Sequence, residues 1–367
     1  MEILIPELAN ARYIQRLEKE YELRFCRPDE IDKVIQFIDN NWKKDHILVK
    51  SREMMDWQHF DSIHNQYNFV LAIHKKTLEI HAILGFIPTS FFSLSDGAIK
   101  VWAAIWKTRE DIGITGLGLA LYNYLQNNLD VESITISGVS STTISMYHRL
   151  NFETGILKQW YILNKEMESF TLVGNVSDKE RRPEYLLDYA SSIMLCTQSH
   201  YNKLVAEKSL VFPRYKSPHY YIKRFFEHPI YNYKAFAVTI KGSVKAIIFT
   251  RVCGFNEHRA IRIVDYIGDF SAIRGCHPCF QQLLRDENAE YIDFINIGFD
   301  EECLSDAGFL DRKASDIVIP EYYEPFCQKN IDISYAFKTI NPKVKCLVYK
   351  ADADQDRPSL IKGGQFI

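Results

Sequence analysis

The sequence lacks long apolar runs and an excess of charge of either sign. No stretch approaches eighteen apolar residues, and the start MEILIPELANARY has no basic segment followed by an apolar one. Forty-four Lys and Arg residues nearly balance 47 Asp and Glu residues, which leaves a net charge of −3. This balance gives no electrostatic case for nucleic acid or a membrane surface as the main partner. Without long apolar runs, a cytoplasmic protein is expected.

Cysteine pairs at metal-binding spacing are also scarce. Eight cysteines scattered over 367 residues favour reduced thiols over a disulfide framework. Cys276 and Cys279 resemble a redox motif or half of a zinc site, but no second Cys/His pair stands at matching spacing. We therefore expect no metal site, and we interpret the pair as structural.

The composition, 47% hydrophobic and 25% charged, is that of a globular protein, and the length predicts two domains. The first half predicts three strands, a helix with Leu117, Leu121 and Leu125 on one face, a fourth strand, a second helix and a last hairpin partner. The three strands are 67–76, 78–90 and 98–108, the fourth is 133–139, and the hairpin partner is 150–163.

The same order returns in the second half. Strands are predicted over 233–254 and 260–270, a helix over 279–289 and a strand over 291–299. An offset of about 160 residues predicts a tandem duplication. The boundary is expected near the polar stretch 164–184.

The stretch DIGITGLGLALYNYL (111–125) places three glycines between an apolar run and a helical pattern. It has no lysine, which excludes a P-loop. Leu121 stands where a dinucleotide fingerprint needs its third glycine, so that motif is excluded as well. Main-chain N–H groups at the helix start can still converge on an anion. The alternative is a turn that only connects strand and helix.

On these residues the first half resembles the GNAT superfamily of acyl-CoA-dependent N-acyltransferases. Its members bind the coenzyme A pyrophosphate with a turn Arg/Gln-x-x-Gly-x-Gly/Ala, which Gly116 and Gly118 match, whereas Gly113 stands at the Arg/Gln position. They also carry a Tyr-x-x-x-Gly-Phe element, which Tyr147 matches and in which Asn151 replaces the glycine. The departure at Gly113 implies that main-chain donors hold the pyrophosphate.

The resemblance implies direct transfer of the acyl group to an amine in a ternary complex. Tyr147 would donate a proton to the departing thiol, and the alternative is a tyrosine that only packs under its helix. N–H groups from Trp106 to Thr108 would pair with the pantetheine arm and polarise the thioester. The implied coenzyme residues are Trp106, Lys107, Thr108, Gly113, Ile114, Thr115, Gly116, Leu117, Gly118, Ser140 and Tyr147.

No acid stands on the third strand, so the catalytic base is sought elsewhere or replaced by a water relay. Asp265, Asp269 and His228 are the candidates, each with the alternative of a purely structural role. Tyr221 and Tyr231 belong to an aromatic group that could stack a base ring or simply form a core.

The acidic residues 352, 354 and 356 near the end of the chain lack the Gly and Glu of an EF-hand loop. They predict either a solvated tail or an ordered lid that contacts sugar or phosphate through Arg357.

The expected fold class is α/β, with two tandem GNAT-like domains that each hold a mixed, mostly antiparallel sheet flanked by helices. The predicted limits are 1–165 for the domain that binds acyl-CoA, 166–184 for a linker, and 185–367 for a degenerate domain that contributes to acceptor binding. The second half has SAIRGCHPCF in place of a glycine turn. One coenzyme site, in the first domain, is therefore expected.

The tandem arrangement, with FFEHPIYNY (225–233) and KADADQDRPS (350–359), resembles nucleotide-amino-sugar N-acyltransferases of bacterial surface-polysaccharide synthesis. This implies transfer of an acetyl or short hydroxyacyl group to a dTDP- or UDP-linked amino sugar, as in O-antigen formation. The alternatives are acyl or aminoacyl transfer to another amine and a non-catalytic module that senses acyl-CoA. No nucleic-acid or membrane partner is expected, and a homodimer stays open.

Overall fold

The computed structural model describes residues 17, 19–89, 99–177, 180, 191–213 and 215–358. Its contacts divide the chain into two compact units, Met1–Phe91 with Ala98–Ile136, and Phe92–Gly97 with Ser137–Ile367. The limits 1–165, 166–184 and 185–367 stay a prediction. Residues 1–16, 18, 90–98, 178–179, 181–190, 214 and 359–367 of the predicted elements and domains lie outside the described residues.

The first unit is built on one mixed sheet in the order β1-β3-β4-β5-β6, with β2 paired to β3. All pairs are antiparallel except β5 with β6, which run parallel. The strands are β1 (Tyr21–Cys26), β2 (Phe60–Asp61), β3 (Gln66–His74), β4 (Ile80–Pro88), β5 (Ile99–Thr108) and β6 (Val131–Ser137). The helices are α1 (Ile31–Asn41), α2 (Ile47–Lys50), α3 (Arg52–His59) and α4 (Leu117–Asn128).

The predicted meander of three strands is confirmed as β3, β4 and β5. Every residue of β4 is buried, which fits a strand covered on both faces. Helix α3 lies on one face, where the His59 ring contacts Phe69 at 4.4 Å between centroids. Helix α4 lies on the other, where Tyr122 stacks on Trp106 at 5.7 Å. The glycine turn therefore leads into a helix that packs on the face of the sheet carrying the Trp106 ring.

The second unit holds a sheet in the order β14-β8-β13-β12-β11-β10-β9. The strands of this unit are β7 (Glu153–Ile156), β8 (Lys158–Leu163), β9 (Ser192–Leu195), β10 (Lys234–Ile240), β11 (Ser243–Phe255), β12 (His258–Gly268), β13 (Ala289–Ile297), β14 (Leu310–Asp311), β15 (Tyr322–Tyr323), β16 (Phe326–Cys327), β17 (Ser334–Thr339) and β18 (Val348–Tyr349). Its helices are α5 (Ile144–Arg149), α6 (Gln198–Ala206), α7 (Pro218–Tyr221), α8 (His277–Asp286) and α9 (Glu301–Asp306).

The second unit repeats the strand order of the first. An antiparallel meander β10-β11-β12 leads through helix α8 to β13, which is parallel to β12. The core packs Ile248, Ile263, Phe280 and Phe294 between the sheet and this helix. The predicted repetition of elements is therefore present, while an origin by duplication stays a prediction.

The single hairpin partner predicted over 150–163 is wrong. The segment divides into β7, which pairs with β17, and β8, which pairs with β13. Between them Leu157 is 2% exposed, and its N–H donates to the Ile333 carbonyl at 2.9 Å. Leu157 is thus the point at which the chain leaves its pairing with β17 and begins its pairing with β13. The sequence of 150–163 gives no sign of this change of partner.

Candidate functional site

Strands β5 and β6 part from each other within the first unit. Their parallel ladder runs from the pair Ile99–Val131 to the pair Ala103–Ile136. Residues 104–108 of β5 continue beyond this last pair. A strand without a neighbour on one side presents main-chain N–H and C=O groups there. The edge of 104–108 can therefore pair with an extended ligand.

A β-bulge lies in β5 where the parting begins. Leu84 of β4 pairs with Trp106, whereas Phe86 pairs with Ala103, so β5 has one extra residue in this interval. Bulges bend a strand and redirect its side chains, and they are frequent next to active sites. The sequence IKVWAAIWKT contains no glycine or proline that would have predicted it.

The three glycines of the turn are glycine for two different reasons. Gly113 and Gly116 have φ of 60° and 78°, which L side chains rarely adopt. Gly116 is also the residue that caps the start of α4. Gly118 accepts a hydrogen bond from the Trp106 indole at 3.1 Å, and a Cβ there would lie 2.9 Å from Trp106 Nε1.

The start of α4 can hold an anion. Because the first N–H groups of a helix have no partner within it, they point out of the helix start, where its dipole is positive. The left-handed residue Gly116 turns the chain into this position after the segment 109–115 that follows β5. Helix α4 has 12 residues, long enough for a full dipole at its first turn.

Charged side chains beside the turn neutralise one another. Arg109 donates to Asp111 at 3.0 and 2.7 Å and to Glu79 at 3.2 Å. Lys107 pairs with Glu110 at 2.5 Å. The hydrogen bond from Arg109 lowers the pKa of Asp111 below its ordinary value, so the acid is ionised at neutral pH. These pairs leave the main chain as the principal source of positive potential for an anion.

Tyr147, the predicted general acid, lies on α5 in the second unit. Its side chain is 5% exposed and meets Phe152 edge to face at 5.4 Å. Burial raises the pKa of Tyr147 to about 12, so the hydroxyl keeps its proton at neutral pH. Ser140 accepts from the Thr142 N–H at 3.4 Å and caps a short 3-10 helix. The coenzyme roles of Tyr147 and Ser140 stay predictions.

Asp265 is enclosed and paired, which favours the structural alternative over the predicted role as base. Its side chain is 0% exposed, and Lys216 Nζ lies 2.7 Å from Oδ2. Burial raises the pKa of Asp265 to about 6. The same ammonium contacts Asp352 at 2.7 Å, so the three groups form a buried ionic cluster.

The contacts of His228 and Asp269 also favour structural roles. His228 Nδ1 accepts the N–H groups of Ile230 and Tyr231 at 3.1 and 2.9 Å, which places the ring proton on Nε2. Burial lowers the pKa of His228 to about 3, and the lone pair that a base would use is already engaged. Asp269 is exposed and accepts from Ser271 N at 2.9 Å, capping the 3-10 helix Phe270–Cys276.

The predicted acceptor residues lie in the interior of the second unit. Tyr221 is 0% exposed and stacks on Phe249 at 5.4 Å. Tyr231 is 6% exposed, donates to the Arg357 carbonyl at 2.8 Å, and carries the Arg251 guanidinium 4.0 Å above its ring. Arg357 pairs with Asp354 at 2.5 Å. The aromatic group is therefore a core, as the alternative had it.

The segment after β18 is buried, so the solvated tail is wrong. Asp352, Asp354 and Asp356 are 0%, 4% and 2% exposed. Arg251 donates to both carboxylate oxygens of Asp356 at 3.1 and 2.7 Å, and Tyr233 donates at 2.7 Å. Burial alone would raise the pKa of Asp356, but Arg251 lowers it far below its ordinary value.

This buried segment enters the second unit's sheet where β12 and β13 part. Their parallel ladder ends at the pair Ile263–Phe294. Beyond it, β18 pairs with Asn296 and Ile297 of β13, and the Ala351 N–H donates to the Val264 carbonyl of β12 at 3.0 Å. The chain itself thus occupies the crevice that corresponds to the parting of β5 and β6.

The thiols of Cys276 and Cys279 are poorly suited to redox chemistry. Burial raises the pKa of both, so the reactive thiolate is disfavoured. Their sulfur atoms donate to the carbonyls of Ala272 and Ser191 at 3.5 and 3.3 Å. Within the described ranges no cluster of three or more His, Cys, Asp or Glu side chains could hold a metal ion.

The described helices include none with both the length and the apolar character needed to cross a bilayer. No family model matches the sequence, and no curated protein matches it either.

Solved structures do match the fold. A GCN5-related N-acetyltransferase from Anabaena variabilis is similar with a TM-score of 0.54 and 8% identity, covering 88% of this chain and 73% of its own. A protein of Enterococcus faecalis described as a probable N-acyltransferase is similar with a TM-score of 0.56 and 8% identity. The match covers 88% of this chain and 72% of that protein. The chain therefore has the mixed α/β fold of the GCN5-related N-acetyltransferases.

Proposed function

We propose that this chain is an N-acyltransferase that takes its acyl group from acyl-CoA at the parting of β5 and β6. One observation carries the proposal: residues 104–108 of β5 extend beyond the ladder with β6, and the glycine turn 113–118 that follows opens helix α4. An extended amide-containing arm and a diphosphate are the two chemical features of coenzyme A. The strand edge suits the first and the helix start suits the second.

The second unit supports a single coenzyme site per chain. Its crevice between β12 and β13 is occupied by β18 and Ala351. The turn before α8 carries Cys276 at the helix cap, where the first unit has Gly116 in the left-handed conformation. In the described part of the second unit, the crevice between the two strands is filled and the helix cap is not a left-handed glycine. We therefore expect one coenzyme to bind.

The proposed reaction is direct transfer. The nitrogen lone pair of a neutral amine attacks the thioester carbon, and the carbon–sulfur bond breaks. N–H groups along Trp106–Thr108 stabilise the negative oxygen that develops, as main-chain donors do in an oxyanion hole. Tyr147 is the proposed proton donor to the departing sulfur, and its raised pKa of about 12 keeps the hydroxyl protonated until the sulfur leaves.

The acceptor that we propose to test first is the amino group of a nucleotide-linked sugar, which the sequence resemblance implies. The acyl group would be acetyl or a short hydroxyacyl. Burial of Tyr221 and Tyr231 and the pairing of Arg357 with Asp354 lend no support to these residues as its contacts. The same assay distinguishes this proposal from its two alternatives, an acyl-CoA sensor and a transferase for another amine.

The test combines binding with turnover. Isothermal titration of the purified chain with coenzyme A should give one site per chain. A panel of acyl-CoAs is then combined with dTDP- and UDP-amino sugars and with simple amines, while release of free thiol is followed. Amine-dependent thiol release supports the proposal. Binding without thiol release from any pair would favour the sensor, and no binding would contradict the site.

Replacing Gly113 with arginine tests which groups hold the diphosphate. A Cβ at Gly113 meets no atom within 4 Å, so the side chain has room, although φ of 60° makes any L residue costly. Gly113→Ala bears the same backbone cost without the charge. Because a hydrogen bond to a charged group contributes about 1.5–3 kcal/mol, Gly113→Arg should bind coenzyme A at least ~10-fold more tightly than Gly113→Ala.

This gain should shrink as salt is raised, because charge pairs near the surface are screened. Titrations at low and high ionic strength measure it. Equal affinities of the two variants at low salt would show that residue 113 does not face the diphosphate.

A further inference from the structure

Three hydroxyl groups on β6 are buried without partners. Ser133, Thr135 and Ser137 are 1%, 0% and 9% exposed. Among the residues that the structure describes, none donates a hydrogen bond to or accepts one from their side-chain oxygens. A buried polar group without a partner costs free energy, so such groups usually bind water or serve the chemistry of a site.

The spacing of these residues makes them a row. Alternate residues of a strand point to the same face, so the three hydroxyls share one side of β6. Successive oxygens are about 6.6 Å apart at the usual rise per residue, which is too far for direct hydrogen bonds. One or two waters between neighbours would span this distance and satisfy each hydroxyl.

The row begins where β5 and β6 part. Ser137 is the last residue of β6 and directly follows the last ladder pair, Ala103–Ile136. In the other direction Thr135 pairs with Trp102, and Ser133 is two residues from the half-buried strand start Val131, which shares its face. The row therefore connects the proposed reaction centre with the beginning of the strand near the surface.

The row lies on the face of the sheet opposite to helix α4. Phe69 contacts His59 of α3 and pairs with Gly85 of β4. Ile87, two residues beyond Gly85, shares its face and pairs with Trp102, which in turn pairs with Thr135. Because Trp106 stacks on α4 beyond the bulge, the proposed coenzyme helix and the hydroxyl row occupy opposite faces.

We propose that Ser133, Thr135 and Ser137, bridged by water, conduct a proton from the acceptor nitrogen to solvent. The inference rests on the proposed function. When the nitrogen bonds to the thioester carbon it becomes positively charged, and it returns to neutral by giving one proton to the first water of the row. Each water and hydroxyl passes one proton on and receives one, and buffer in the bulk solvent takes the last.

Neither ionisable group named beside the row is suited to hold the proton. Lys100 pairs with Ser133 on the same face, and its ammonium lies 5.5 Å from the centre of the Trp102 ring. A cation here opposes a proton that would rest on the row. His59 on the same face is buried, and its pKa is lowered to about 3, so it stays neutral. The earlier base candidates are engaged elsewhere, which leaves this route for the proton.

Thr135→Val tests the row, because it removes the central hydroxyl with little change in shape. We expect kcat to fall about tenfold with KM nearly unchanged, and the solvent isotope effect on kcat to increase. Thr135→Ser, which keeps the hydroxyl, should restore both. The melting temperature should fall in Thr135→Val, since the variant loses bonds to water that the hydroxyl makes in the native chain.

A matched control separates the relay from general damage. Thr250 on β11 is 3% exposed and donates to the Lys234 carbonyl at 3.3 Å, so Thr250→Val loses a buried bond elsewhere. It should lower the melting temperature and leave kcat unchanged. A Thr135→Val chain that melts at a higher temperature would show that its hydroxyl binds no water and would overturn the row.

Unchanged kcat in Thr135→Val would overturn the role in proton transfer. These results differ from failure of the proposed function, in which the native chain itself transfers no acyl group to any amine. That result would remove the relay as well, since no proton would then need to leave.

Discussion

Gly116→Val is expected to weaken coenzyme A binding at least about a hundredfold. The residue has φ of 78° at the cap of α4, a conformation in which a β-branched side chain is strained by roughly 1–3 kcal/mol. To relieve this strain the turn must shift, and the N–H groups at the helix start lose their common direction. Loss of two charge-assisted hydrogen bonds, each about 1.5–3 kcal/mol, accounts for the effect.

The second unit offers a closely matched control for this variant. Gly242 has φ of 77° in the turn between β10 and β11, and a Cβ there meets no atom within 4 Å. Gly242→Val therefore bears a similar backbone strain outside the proposed site. We expect both variants to lose similar unfolding free energy in urea, while only Gly116→Val loses affinity in titration calorimetry.

Two results would contradict this placement. A folded Gly116→Val chain with native affinity would show that the diphosphate lies elsewhere. An equal loss of affinity in Gly242→Val would show that coenzyme binding responds to overall stability rather than to the shape of the turn.

The sequence predicted the elements that depend on local pattern. The apolar runs of β3, β4 and β5 gave the meander, and the glycines before Leu117 marked the start of α4. It missed the bulge in β5 because an extra residue in a ladder depends on the register with β4. The parting of β5 and β6 depends likewise on where a ladder ends.

The roles of acidic residues were harder to predict. Asp269 precedes a helical segment, a typical signal of a cap, and this pattern could have indicated its structural role. Asp356 gave no comparable signal, because its partner Arg251 lies 105 residues away in the chain. Alternating acids in a polar stretch usually indicate exposure. Distant cations in the folded unit reverse that expectation here.

The burial of the β6 hydroxyls could not be predicted from the sequence either. In the sequence VESITIS, alternation of Ser and Thr with isoleucine is typical of a strand with one polar face toward water. The structure buries that face as well. A single strand cannot show what covers it, so buried unpartnered hydroxyls become visible only in the folded chain.

Asp356→Asn is expected to lower the unfolding free energy of the second unit by about 3–5 kcal/mol at neutral pH. The change leaves the Arg251 guanidinium buried without its counter-charge, and this is the general cost of removing one partner of a buried ion pair. Urea unfolding followed by circular dichroism measures it. Glu301→Gln is the control, because Lys158 and Glu301 are 39% and 52% exposed and the expected loss is below about 1 kcal/mol.

The stability difference between the native chain and Asp356→Asn should depend on pH in a defined direction. The pKa of Asp356 is held far below the ordinary 3.8, so its contribution is fully present above pH 3.8 and is lost as pH falls through the folded-state value. The difference between native chain and Asp356→Asn should therefore be largest near neutrality and diminish below pH 3.8. A difference that is small at pH 7 would show that this pair does not anchor the segment after β18.

The same variant bears on the number of coenzyme sites. Tyr349 and Ala351 stay hydrogen-bonded to β13 and β12 without the help of Asp356, so the crevice in the second unit should remain occupied. Titration of folded Asp356→Asn with coenzyme A should still give one site per chain. A second site in this variant would mean that the buried segment covers a binding crevice that the chain can open.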